Sequence, residues 1–122
     1  MPRVMHFEIN APDPDGLVDF YKDAFGWEIA KWDDPEDYWL LTTGEDGQPG
    51  INGAMMRSQD GQARTVNAIG VDSVDEAVAK VTAAGGQVVT PKLAIPGVGW
   101  QAYCSDPQGV LFGLHQEDPE AP

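Results

Sequence analysis

Two hydrophobic periods alternate along the chain. From Val4 to Asn10 the period is two: Met5, Phe7 and Ile9 make an apolar face, and Val4, His6, Glu8 and Asn10 a mixed one, which predicts a strand. Asp13 then reads as an N-cap, with Pro14 at the first helical position. Leu17, Phe20, Tyr21 and Ala24 follow at helical spacing, and Gly26 closes the helix. Strands are predicted at Trp27–Trp32 and Asp37–Thr43, joined by a turn at Asp34 and Pro35. A Gly-rich loop, Glu45–Gly50, leads to a strand at Ile51–Arg57. After the polar stretch Ser58–Ala63 the order starts again. A strand at Thr65–Val71 is followed by a helix opened by Ser73 with Glu76 as a capping box. Its stripe is Val74, Ala77, Val78 and Val81, and Gly85 and Gly86 end it. Strands at Gln87–Leu93, Trp100–Ser105 and Val110–His115 complete the pattern. In the last, Val110, Phe112 and Leu114 form the packed face, and Leu111, Gly113 and His115 the other.

The recurrence is a repeat. Slid by sixty positions, Asp106, Gln108 and Gly113 fall on Asp46, Gln48 and Gly53, and Ile69, Asp75, Val78, Ala84 and Gly86 on Ile9, Asp15, Val18, Ala24 and Gly26. The boundaries are module one at 3–57, a linker at 58–64, module two at 65–116 and a tail at 117–122. That tail lacks an apolar anchor and is expected to fray. One helix covers one face of a four-stranded sheet and leaves the other bare. The expectation is an α+β chain of two tandem βαβββ modules forming a curved mixed sheet around a central cavity, where small molecules favour binding.

Composition narrows the function classes. At 122 residues with 42% hydrophobic and 9% aromatic content, the chain is one domain's worth of globular protein. A net charge of −13 opposes nucleic acid and favours cationic ligands; its simplest reading is a solvated acidic coat. Cys104 is the sole cysteine, so no internal disulfide forms, and parity puts it on the helix side as a small hydrophobe. No run approaches the roughly 20 apolar residues of a membrane span, and no signal-peptide pattern opens the chain. A cytoplasmic setting without membrane or nucleic-acid partners is the expectation.

His6 ahead of Phe20-Tyr21, then Phe25-Gly26-Trp27, then Asp106-Pro107-Gln108-Gly109, set in paired βαβββ units, resembles the vicinal oxygen chelate superfamily. That superfamily includes glyoxalase I, ring-cleaving dioxygenases, and the bleomycin and fosfomycin resistance proteins. The resemblance places the metal-ligand positions at His6, Gly53, Val66 and Gly113, of which only His6 is a donor. It therefore implies the metal-poor branch: a small-molecule-binding protein of the glyoxalase/bleomycin-resistance type, homodimeric and without a resident cofactor.

An alternative keeps a divalent metal on His6, Glu8 and His115, as a metal-dependent lyase or dioxygenase; its bland rival is a Glu8–His pair tethering strands. A third reading is a dimerising partner protein with no open pocket. For the pocket, the mixed faces nominate Trp39, Leu41 and Thr43 on one strand and Gln101, Tyr103 and Ser105 on another. Met55 is nominated as the first-copy counterpart of His115. The ligand-binding set is thus His6, Glu8, Trp39, Met55, Gln101, Tyr103 and His115, suited to a small aromatic or cationic organic molecule. The Gly-rich loop lacks the Lys of a phosphate-binding loop and reads as a turn or lid.

Overall fold

The alternating and helical stretches form the predicted elements in the same order in the computed structural model, which describes residues 2–32 and 38–122. They are β1 (Arg3–Ala11), α1 (Asp15–Phe25), β2 (Glu28–Trp32), β3 (Tyr38–Thr42), β4 (Gly53–Arg57), β5 (Arg64–Gly70), α2 (Val74–Ala83), β6 (Gln87–Ile95), β7 (Gly99–Ser105) and β8 (Leu111–Glu117). The order βαβββ occurs twice, and the class is α+β. The turn expected at Asp34 and Pro35 and the strand start at Asp37 lie outside the described residues. The chain divides into two units: His6–Val66, and Asn67–Pro122 joined by the start of the chain through Met5.

In the His6–Val66 unit, β4 runs parallel to β1 and antiparallel to β3, and β2 pairs with β3. The core forms where this sheet meets α1. Trp39, Leu41 and Met55 are buried there, with Phe7, Ile9, Leu17, Val18, Trp27 and Ile29 packed around them. The helix begins differently from the sequence expectation. Its N-cap is Pro14, already in helical geometry, and no side chain caps the end, so Asp13 does not take that role. Leu17 N–H donates to the Pro14 carbonyl at 2.9 Å instead. Gly26 ends the helix at φ +72°, a left-handed conformation that glycine adopts without Cβ strain.

In the Asn67–Pro122 unit, β8 lies between β5, to which it is parallel, and antiparallel β7, and β6 pairs with the far side of β7. Val74, Ala102, Cys104 and Leu114 are buried under α2, with Ile69, Ala77, Val78, Val81, Trp100 and Phe112 against them. Ser73 caps as expected, its Oγ accepting from Glu76 N–H at 3.1 Å, and Gln116 Oε1 accepts from Val74 N–H at 3.0 Å. The turn before β8 is organised by Asp106, whose Oδ1 accepts from the N–H groups of Gln108 and Val110, both at 2.9 Å. Gly109 there has φ +89°.

The tail does not fray. Glu117 ends β8, the Trp100 indole donates to Asp118 Oδ2 at 3.1 Å, and Gly97 N–H donates to the Ala121 carbonyl at 3.0 Å, which buries Ala121. Backbone bonds and the Asp118 carboxylate supply the anchor that apolar side chains do not.

Candidate functional site

Strand pairing fixes which side chains share a face, because directly opposed residues point the same way. In the His6–Val66 unit, Phe7 opposes Gly53 and Gly53 opposes Leu41; Ile9 opposes Met55 and Met55 opposes Trp39. These belong to the α1 side. Trp39 and Met55 are therefore core residues, not pocket residues, and Leu41 goes with them. The physical reason is register: pairing through β4 puts Trp39 and Leu41 on the face of Phe7 and Ile9, which α1 covers.

The repeat also slips. Gly53 stands where Phe112 stands in the second copy, and Leu41 where Cys104 stands, so neither strand keeps the sixty-residue offset that β1 and β5 obey. Gly53 faces the helix while Gly113 faces away. The true counterpart of His115 is Met56, not Met55.

The face turned away from α1 carries two rows across the sheet. Glu8, Ala54, Leu40 and Ala30 form one, and Asn10, Met56, Tyr38 and Trp32 the next, with His6 one step further along β1. Glu8 is 3% exposed and Ala54 fully buried. The small Ala54 and Ala30 side chains make a low strip. Beside it stand the larger Met56, Tyr38 and Trp32, the last two edge-to-face with centroids 5.4 Å apart. Burial pushes the Tyr38 phenol up to about 12, and the Glu8 carboxylate adds to the shift by disfavouring a second negative charge. Leu40 at 42% and Trp32 at 37% exposure remain open to solvent.

In the other unit, the face turned away from α2 carries Ala68, Gly113 and Tyr103 in one row and Gly70, His115 and Gln101 in the next. Gln101, Tyr103 and His115 do share this face, as the sequence predicts, and all three are half-buried. Gln101 Nε2 donates to the Tyr103 hydroxyl. The Tyr103 ring lies across Gly113, where an added Cβ would sit 3.3 Å from Cε1. Cys104 is buried on the helix side, and burial pushes its thiol up. The Gly-rich loop is closed by its own groups: Gln48 Oε1 accepts from Glu45 N–H at 3.1 Å, and Thr43 Oγ1 donates to the Ile51 carbonyl at 2.6 Å.

The glyoxalase-like domain model matches residues 6–115. The chain belongs to the glyoxalase-like domain family. The chain is 27% identical over 124 residues to DnrV of Streptomyces peucetius, an anthracycline biosynthesis protein, covering 88% of this chain and 44% of that one. A 50-residue stretch is 46% identical to CFP32 of Mycobacterium tuberculosis, a glyoxylase by provisional name, covering 41% of this chain and 19% of that protein. The chain thus spans less than half the length of these curated relatives.

Among solved structures, the Mn(II)-bound glyoxalase of Novosphingobium aromaticivorans aligns with a TM-score of 0.68 at 25% identity. It covers 99% of this chain and 41% of that one. Methylmalonyl-CoA epimerase of Mycobacterium tuberculosis aligns with a TM-score of 0.69 at 17% identity, covering 95% and 88%, a likeness of fold.

The family's metal chemistry requires several donors on the faces bare of helix. Here the position matching His6 in the second copy is Val66, and the last strands offer Ala54, Met56, Gly113 and His115 on those faces. Among the described residues no group of three or more His, Cys, Asp or Glu side chains stands where it could hold a metal ion. Of the residues nominated for a metal, His6 and Glu8 lie in the His6–Val66 unit and His115 in the other. No described helix is long and apolar enough to cross a membrane.

Proposed function

We propose that this glyoxalase-like domain binds a small planar organic molecule bearing a positive charge, on sheet faces that its helices leave bare. The observation that carries the reading is the pair of rows in the His6–Val66 unit. There the accessible ring of Trp32 and the side chain of Leu40 sit beside Tyr38, on the same sheet face as the buried Glu8 carboxylate two strands from Leu40. Rings of this kind take a flat ligand by stacking, and an amine over them gains cation–π attraction of about 0.5–2 kcal/mol. Glu8 and the chain's −13 charge supply a field of matching sign. Tyr103, Gln101 and His115 offer an aromatic face with polar neighbours of the same kind. The name of DnrV ties a relative to anthracyclines, a planar aromatic class, and supports this choice.

The test is fluorescence titration with an anthracycline that carries an amino sugar, beside its uncharged aglycone. The charged compound is expected to bind more tightly, and Trp32→Ala and Glu8→Gln are each expected to weaken it by about tenfold, roughly 1.4 kcal/mol. Equal binding of both compounds to all three proteins would remove the reading. A stoichiometric divalent ion in untagged protein, lost in His6→Ala, would replace it with the metal-dependent lyase or dioxygenase.

A further inference from the structure

Helix α1 and the residues just after it carry a ring cluster whose Phe20 and Phe25 stay in water, while Tyr21 and Trp27 are half-buried. Tyr21 and Trp27 stack with centroids 5.0 Å apart and planes 5° from parallel. Phe25 lies 5.6 Å from Trp27 and 6.2 Å from Tyr21, and Phe20 meets Tyr21 edge-on at 5.1 Å. No residue of α1 is buried, and Phe20 and Phe25 are 55% and 62% exposed. A contiguous apolar patch of this kind on a helix marks a contact surface. Its rings already hold one another in place, so docking on them costs little side-chain entropy.

The surroundings choose the partner. Asp15, Asp19 and Asp23 recur every fourth residue along one side of the helix, with Asp23 one turn from Phe20; Glu28 follows Trp27, and Lys22 is the one base within the helix. The helix ends at Phe25, so the negative pole of its dipole lies beside that ring. A second copy of the chain would bring the same carboxylates, and a net charge of −13, against this surface. Like charges facing each other across an interface cost several kcal/mol. A basic amphipathic segment meets no such penalty. Its apolar side chains cover Phe20 and Phe25, its Lys and Arg residues reach Asp19 and Asp23, and its cations lie over the ring faces.

We propose that the α1 ring cluster docks a basic amphipathic segment of another protein. The cluster lies on the α1 side of the sheet, whereas the ligand rows lie on the reverse face, so the two readings fail separately. The probe is a Lys/Leu amphipathic peptide of about 18 residues, long enough to form a helix, titrated calorimetrically at about 0.15 M salt. A Glu/Leu peptide of the same length is the control.

The Lys/Leu peptide should bind and the Glu/Leu peptide should not. Phe20→Ser with Phe25→Ser, which leaves the charge unchanged, should weaken binding by about tenfold. Asp19→Asn with Asp23→Asn should weaken it less and flatten its salt dependence. Amide shifts in the unaltered protein should centre on residues 19–28, a readout that needs no variant to fold. Equal affinity in the serine variant, or shifts centred elsewhere, would overturn the proposal. So would a dimer of the unaltered protein that the serine variant dissociates, since that assigns the patch to a second copy.

Discussion

At the scale of single residues, the sharpest consequence lies at Tyr38. Its phenol is pushed up to about 12, first by burial and then by Glu8. An acid whose folded pKa exceeds its unfolded value of about 10 costs nothing while both states are protonated. Between about pH 10 and 12 the unfolded chain ionises this group and the folded chain does not, so stability falls through that window. In a spectrophotometric titration, a late tyrosine ionisation should be missing from Tyr38→Phe. Glu8→Gln should move it back toward 10 without abolishing it. A Tyr38 step near 10 in the unaltered protein would show that the phenol is neither desolvated nor near a carboxylate. Asp60 makes the contrast. It is held well below the usual carboxylate range by the Arg64 guanidinium, whose Nη2 is 2.6 Å from Oδ2, and by bonds from Gln62 N–H and Ser58 Oγ. Yet its side chain is 54% exposed, and an exposed pair contributes little to folding.

Elements show where sequence reading succeeds and where it stops. Strand and helix existence was legible because each follows from a local period, and the Ser73 cap because it is a bond between neighbours in the chain. Facing was legible in β8, where Gly113 and His115 stand opposite Phe112 and Leu114. It was illegible in β3 and β4, because a strand's facing depends on its register with partners far along the chain, and a one-residue slip turns every side chain over. The sixty-residue offset holds between β1 and β5 and fails between β4 and β8, so an ungapped repeat sends Met55 to the wrong side, and taking the mixed face of β3 as the open one does the same for Trp39 and hides Tyr38. Gly53 tests the corrected facing. A Cβ there would stand 2.5 Å from the Phe7 carbonyl oxygen and 2.7 Å from its ring, on the α1 side. Gly53→Ala should therefore cost about 1–3 kcal/mol in urea unfolding, as overpacking does. Unchanged stability would mean that Phe7 does not lie across β4.

For the whole molecule the deciding quantity is charge. Twenty carboxylates face seven Lys and Arg residues, so repulsion acts over most of the surface. Among the described residues, the ion pairs at the surface are weak by comparison. Arg64–Asp60 and Lys92–Asp75 are both open to solvent, and such pairs contribute about 0–1 kcal/mol each. Lys92 gains somewhat more by lying 4.4 Å from the Trp100 ring centroid. Salt weakens both kinds of term, since the screening length falls from about 30 Å at 0.01 M to about 8 Å at 0.15 M. Long-range repulsion among many like charges loses more than contact pairs such as these do, because contacts shorter than the screening length are only partly affected. Thermal unfolding should therefore rise by a few degrees over that range of NaCl, and continue upward more slowly beyond it. A Tm that falls with salt would mean that specific ion pairs outweigh the acidic surface. Neutralising exposed carboxylates remote from the ligand rows should in turn imitate the added salt.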